Sequence, residues 1–548
     1  MIKNEIEKII KENLPENAKI SEIKIEKPGN DIYGDYSSNV ALQLARILKK
    51  NPQKIAENIK NKIENNKKSA EFFEKITIQN GFVNFFVSKK IIYKELEKIL
   101  NKKFCGFPKQ KNKINLEFIS VNPTGKPHIG NGRGAFWGDV LGNIFKKLGY
   151  KIEKEFFIND SKNSNQIKEL GKTAMGEGTS YLTDYLKNKI KENSKKIEAI
   201  SKKSKNKENI FGSPRFAHFD SESKRTDEAG EVGHFLGSEI QKDNQNFIEK
   251  KLKIKFDNWA SEQKILEKNK KQADKIFKDL EKRKLVYKKD GAIWLKTSEF
   301  GEEKDWVIIR QDKLPAYLFS DLIYHFDKIK RKFNLIIDVW GADHQAHVKK
   351  MEAVMKILEY KGDFKVFITQ MVSLRGGEKL SKRKGNIIEL EQLVDLVGLD
   401  VARYFYLTKS LDTQMEFDLD LAREQSQKNP VFYIQYSYAR ISSILKSSKE
   451  KIKSLKFDLL VANEETKLIK HLLRFPEVLE EVSKDYQVHK LVSYTFDLAS
   501  LFHKFYQECR VLSDDKNLTQ ARLALISSVK IILGECLDLL GISKPEKM

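Results

Sequence analysis

INLEFISVNPTGKPHIGNGRGAFWGDVLGNIFKKLGY, residues 114–150, changes character three times within one short run. Residues 114–119 read as a short buried strand. Asn122, Pro123, Thr124, Gly125 and Pro127 then form a Pro/Gly-rich turn. From Gly130 onward, apolar side chains at Ala135, Phe136, Val140, Leu141, Ile144, Phe145 and Leu148 recur at helical spacing, and Gly149 is a stop signal. Strand, turn and helix make half of a βαβ unit, whose helix start presents unpaired N–H groups to a bound anion. His128 and Asn131 stand i, i+3 apart at that start and can face one ligand.

Working outward, 548 residues predict about three or four domains. The 40% apolar content is enough to bury real cores. A net charge of +24 fits a polyanionic partner, although lysine is spread through nearly every segment and a compositional drift gives the same excess. Cys105, Cys509 and Cys536 form no C-x-x-C pair, so neither a zinc site nor a disulfide framework is indicated. The first residues carry an amphipathic helical pattern rather than a signal peptide, and no apolar run is long enough to span a bilayer. A soluble cytoplasmic protein is expected.

The chain divides into three parts. Residues 1–110 mix helices with strands paired around Asn80-Gly81, an α+β appendage with no evident catalytic group. Residues 111–425 hold the opening unit, the strand of residues 151–158 and a long insertion, about 160–330. Within that insertion, residues 193–209 are expected to be a solvated helix or mobile loop, and the acidic, Gly-bearing stretch after them to be peripheral. Asp290-Gly291 reads as a hairpin turn. A second βαβ half follows: a strand at 335–340, a turn at Gly341, a helix through about Tyr360 and a strand at about 364–374. Two such halves make an α/β, doubly wound, Rossmann-like parallel sheet that binds ligands at its carboxyl edge. Residues 426–548 carry helical periodicity throughout and read as an all-α bundle.

The second half feeds a basic loop with Lys379, Ser381 and Lys382. A helix start bearing His128 and Asn131 on one half, facing a double-lysine loop on the other, suits a nucleotide triphosphate.

HIGN at 128–131 and KLSKR at 379–383 resemble the two signature motifs of class I aminoacyl-tRNA synthetases. VNPTGKPHIGNGRGAFWGDVLG, FINDSKNSNQI, AYLFSDLIYHFDK, VWGADHQAHV, LRGGEKLSKRKGN, VGLDVARYFYL and NPVFYIQYSYARI resemble the arginyl-tRNA synthetases in particular, in the same order along the chain. YGDYSSNVALQLA and NGFVNFFVS resemble that family's amino-terminal RNA-contacting domain. The resemblance implies an ATP-dependent ligase. Arginine is activated to arginyl-adenylate, helped by Mg²⁺, and passed to the 2′-hydroxyl of the terminal adenosine of tRNA(Arg). It further implies a tRNA-contacting domain at 1–110, an anticodon-binding bundle at 426–548, and a monomer. The implied catalytic residues are His128, Asn131, Lys379, Ser381 and Lys382. ATP would be held by Gly130, Gly341, Asp343, His344, Lys379 and Lys382, and arginine by Ser120, Asn122, His128, Tyr317, Asp321 and Gln345. Tyr317 and Asp321 lie i, i+4 apart and share a face if helical. No protein ligand to a metal is implied.

Two positions depart from the family pattern. Asn131 stands where the second motif histidine is usual, and Leu380 where methionine is. Lys126 is read either as a further phosphate contact or as a solvated turn lysine. In the bundle, Tyr433, Tyr436, Tyr438, Phe505 and Tyr506 are candidates for base stacking or for core packing. The competing readings are a nucleotidylyltransferase of the same fold, a non-catalytic tRNA-binding paralogue, and a class I synthetase for another amino acid.

Overall fold

A computed structural model describes residues 1–15, 20, 22–101, 106–205, 228–311, 315–375, 388–448, 450, 452 and 455–548. The chain forms two compact units, one of residues 108–425 and one that combines residues 1–107 with 426–548.

The 108–425 unit is built on five parallel strands, numbered along the chain: β1 (Lys113–Glu117), β2 (Lys151–Ile158), β3 (Asn258–Ser261), β4 (Leu335–Gly341) and β5 (Asp363–Thr369). Their order is β5-β4-β1-β2-β3. Strands of the first half thus run outward from β1 one way and those of the second half the other, and the switch point lies between β1 and β4. The doubly wound sheet is therefore present. Helix α1 (Asn131–Lys147) follows β1, and every apolar residue picked out by its spacing is buried. Each such large side chain contributes roughly 1.5–3 kcal/mol. Gly149, at φ 88°, takes the chain out of the helix.

Three expectations need correction. The acidic stretch after the lysine-rich segment is not peripheral. Residues 184–205 form helix α3 (Asp184–Lys205), and 206–227 lie outside the described residues. The chain then enters α4 (Glu228–Asn246), whose Val232, Leu236 and Ile240 are fully buried against α2 (Asn165–Ala174). The two helices cross at Gly171 and Gly233, where the backbones approach so closely that a Cβ on Gly233 would stand 1.8 Å from the Ile167 carbonyl oxygen. Glycine here is a packing requirement, which composition conceals.

The 160–330 excursion is also not one block, because β3 returns to the main sheet within it. After β3, the strands Val286–Lys289, Ala292–Leu295 and Trp306–Ile309 form a separate antiparallel sheet. Asp290 and Gly291 adopt the positive φ values (51° and 73°) that the hairpin reading requires.

Finally, the strand expected over 364–374 is two strands. β5 ends at Thr369, and Val372–Arg375 pairs in parallel with Met415–Asp418, because Gln370 donates to the Leu411 carbonyl rather than along the main sheet.

In the other unit, a four-stranded antiparallel sheet ordered Ile25–Glu26, Tyr36–Ser38, Phe82–Val87, Phe73–Gln79 packs with a helical bundle. The bundle comprises Pro430–Ser447, Asn463–Leu473, Phe475–Asp485, His489–Glu508 and Lys516–Leu540. Within this unit Tyr36 donates to Glu477 at 2.6 Å, and Lys470 pairs with Asp35 at 2.6 Å. Of the aromatic candidates for stacking, Phe505 is fully buried, and Tyr433 and Tyr436 lie against His503. Among the described residues no helix is long and apolar enough to cross a membrane.

Candidate active site

At the carboxyl edge of the sheet lies a cavity of about 2820 Å³. Ser120, Asn122, His128, Gly130, Asn131, Tyr317, Asp321, Gly341, Asp343, His344 and Gln345 all line it, drawn from three stretches far apart in sequence. Lys379, Ser381 and Lys382 fall in 376–387, outside the described residues. The chain on either side of them, at Val372 and Ile388, lines the same cavity.

Backbone geometry aims the first group. Two residues past the end of β1, Ile119 takes φ 52°, a conformation that costs a β-branched residue on the order of 1–3 kcal/mol. That kink turns Ser120 and Asn122 into the cavity. Ser120 Oγ donates to Glu117 Oε1 (3.0 Å) and accepts from Phe157 N–H (3.0 Å), while Asn122 Oδ1 accepts from Asn159 Nδ2 (3.3 Å).

The turn before α1 is closed by its own side chains. Asn131 Oδ1 accepts the His128 backbone N–H at 2.8 Å, and His128 Nδ1 accepts the Gly130 N–H at 3.1 Å. A backbone N–H can only donate, so a neutral His128 carries its proton on Nε2. Burial lowers the His128 pKa, with the Asp343 carboxylate pulling the other way, so the imidazole is neutral near pH 7 and offers Nε2–H. Gly130 is required because a Cβ there would lie 2.8 Å from the His128 ring. With its oxygen committed to the turn, Asn131 keeps its amide NH₂ as a donor.

At the other end of the cavity, helix α5 (Tyr317–Lys330) places Tyr317 and Asp321 one turn apart, as their spacing predicts. Tyr317 Oη accepts the Asn165 N–H at 3.1 Å, and Asp321 Oδ2 lies 3.0 Å from His347 Nε2. Behind Asp321 sits Glu262, buried, held against Ser320 and with Oε2 unpartnered. Burial, then the Asp321 charge, pushes its carboxyl pKa up to about 8.

An ion network underlies the floor. Glu117 and Asp338 are neighbours across β1 and β4, and the fully buried Lys328 Nζ lies 2.6 Å from Glu117 and 2.7 Å from Asp338. His325 Nε2 meets Asp338 Oδ2 at 2.9 Å, and the Tyr324 hydroxyl lies between Glu117 (2.8 Å) and Glu155 (2.6 Å). Burial raises the Glu117 carboxyl, and Lys328 only partly offsets it. Burial would raise Asp338 too, but Lys328 and His325 outweigh it and hold that carboxyl low.

Sequence reasoning does not single out Glu117, Glu262 or His347. The signal for Glu117 is a carboxylate that falls inside a strand whose residues 114–117 are all buried. His347 lies in VWGADHQAHV, and nothing in the sequence distinguishes Glu262.

Comparison with known proteins places these parts. The family model for the class I tRNA synthetase (R) catalytic domain matches residues 95–410, more than half of the chain. The chain belongs to the arginyl-tRNA synthetase family. The arginyl-tRNA synthetase N-terminal domain model matches residues 1–87, and the DALR anticodon-binding domain model matches 434–548. Arginine–tRNA ligases similar to this arginyl-tRNA synthetase family member include that of Carboxydothermus hydrogenoformans, 37% identical over 96% of this chain and 94% of that one. Another is that of Bacillus subtilis, 36% identical over 100% and 98%. The arginyl-tRNA synthetase of Thermus thermophilus superposes over the whole of both chains with a TM-score of 0.78 at 21% identity, a likeness of fold.

Proposed function

We propose that the cavity of the 108–425 unit activates arginine with ATP and transfers it to tRNA. Family membership establishes the class of reaction: ligation of arginine to tRNA with consumption of ATP. The observation that supports the residue assignment is that one cavity gathers the His128–Asn131 helix start, the Tyr317–Asp321 helix face and the Gly341–Gln345 turn.

In this reading the guanidinium pairs with Asp321, fixed by His347, while Tyr317 and Gln345 add polar contacts. Glu262 ionises in response to the cation. The α-ammonium meets Glu117, whose raised pKa reflects incomplete compensation by Lys328, and Ser120 and Asn122 orient the ligand's backbone groups. The arginine carboxylate oxygen attacks the α-phosphorus of ATP, and the P–O bond to the departing pyrophosphate breaks. His128 Nε2–H and the Asn131 amide donate to the phosphate oxygens as charge shifts. Lys379 and Lys382 neutralise pyrophosphate, with Ser381 between them in sequence. Removing one such donor typically costs about 3–4 kcal/mol of barrier. Gly341, Asp343 and His344 hold the adenosine, and Asp343, largely exposed in the cavity, accepts the ribose hydroxyls. The 2′-oxygen of the terminal adenosine of tRNA(Arg) then attacks the arginyl carbonyl, and AMP leaves.

Mg²⁺ would arrive on the ATP phosphates as part of the substrate. Residues 1–110 serve as a tRNA contact and 426–548 as the anticodon reader, in a cytoplasmic monomer.

The test is charging of tRNA transcripts with radiolabelled arginine. Wild type charges, while Lys382→Ala and Asp321→Ala lose most activity. Undiminished charging by either variant overturns the assignment, and charging with lysine, glutamate or glutamine instead overturns the amino-acid specificity.

A further inference from the structure

Lys126 opens the turn that carries His128, yet its ammonium engages two carboxylates, lying 3.1 Å from Glu389 and 3.1 Å from Glu391. Those two residues lie in the stretch 388–391, which leads into a short helix. Glu389 pairs with His128 in an antiparallel bridge, flanked by Ile129 N–H donating to the Ile388 carbonyl (3.0 Å) and Leu390 N–H to the Pro127 carbonyl (2.9 Å). Glu391, in the first turn of helix α6 (Leu390–Val397), is shared with Lys251, 3.0 Å away, and Lys251 also reaches Asp395 at 2.7 Å. Lys251 ends a single π-helical turn, Phe247–Lys251, that closes the insertion helix α4. One ionic cluster therefore joins the insertion, the His128 turn and the 388–391 stretch.

The Glu389 carboxylate has a consequence for ATP. Residues opposed in such a bridge lie about 4.5–5.5 Å apart at Cα, so Glu389 stands beside the His128 position, and it lines the same cavity. An uncompensated carboxylate there repels a triphosphate and leaves a cationic amino acid unharmed.

We propose that Lys126 is a positioning residue that cancels Glu389 next to the ATP phosphates and, through Glu391 and Lys251, clasps the 388–390 arm to the His128 turn. The proposal rests on the reading that the phosphates bind at His128. It replaces both earlier possibilities for Lys126: the side chain is neither a solvated turn lysine nor a direct phosphate ligand. Its partners are three-tenths exposed, so each pair alone contributes little, and the effect comes from where the charges stand.

The experiment measures charging of a tRNA transcript by the full chain while ATP and arginine are varied separately. It compares wild type with Lys126→Met, Lys126→Arg and the double variant Lys126→Met/Glu389→Gln. Lys126→Met is expected to raise the KM for ATP on the order of tenfold, with the KM for arginine within about twofold of wild type. Lys126→Arg keeps a cation in place and stays near wild type. The double variant recovers most of the ATP affinity, because the offending charge is gone. An unchanged KM for ATP in Lys126→Met overturns the proposal, as does an equal rise in both KM values. A double variant as impaired as Lys126→Met also overturns the charge-cancelling role. Wild-type protein that fails to charge at all refutes the proposed function instead.

Discussion

Glu117 and Asp338 lie side by side on adjacent parallel strands at the switch point of the sheet, and a single buried ammonium, Lys328 Nζ, is within 2.7 Å of both. Two carboxylates in such a place are tolerable only with that cation between them. Lys328→Met is expected to destabilise the protein by about 3–5 kcal/mol, because it removes the one lysine ammonium that both buried carboxylates share. A thermal melt checks this. A melt within a degree or two of wild type would show that the network is dispensable.

Glu262 gives the site a pH dependence of known sign. Its folded pKa, about 8, lies above the unfolded carboxyl value, so the ligand-free fold binds the extra proton between the two. That contribution to stability is full below the unfolded value and fades as pH rises towards 8. Arginine, as a cation, favours the ionised form. The KM for arginine should therefore fall as pH rises from about 6 to 8, by at most about tenfold per unit. Glu262→Gln should flatten the profile, and a profile of unaltered slope in that variant removes Glu262 from the guanidinium end.

Asn131 has two separable tasks, capping the His128 N–H through Oδ1 and donating through its NH₂. Asn131→Asp keeps the cap but replaces the donor with negative charge. It should melt like wild type while losing roughly 100-fold or more in kcat. Asn131→Ala loses the cap as well and should also cost about 1 kcal/mol of stability. Pyrophosphate exchange by Asn131→Ala at the wild-type rate would show that the amide takes no part.

Gly233→Ala tests whether the insertion is structural. Its Cβ would be driven into the Ile167 carbonyl, forcing α2 and α4 apart at a cost of at least about 1–3 kcal/mol. Asn244, further along α4, donates to the Gly125 carbonyl at 3.0 Å, so activity should fall with stability. Full stability with full activity would make the close crossing incidental.

Local chemistry was legible wherever one short stretch carries it. The run 114–150, the Asp290-Gly291 hairpin and the i, i+4 relation of Tyr317 to Asp321 follow from periodicity, turn preference and helix geometry, which act over a few residues. The family resemblance then supplied roles for His128, Asn131 and the lysine loop.

Long-range encounters were not legible. Nothing in NWASEQ says that Glu262 will be buried behind Asp321, because its neighbours come from another helix. The close crossing of Gly171 and Gly233 turned a seemingly peripheral acidic segment into a brace, and composition cannot show which glycines face each other. The Ile119 kink that aims Ser120 and Asn122 opposes the local preference of its residue and persists only because packing holds it. By itself the sequence determined the elements and the reactive groups. Tertiary structure decided which charges meet, since burial and pairing are set by residues hundreds of positions apart, and these fix whether a lysine such as Lys126 faces the phosphates or a carboxylate beside them.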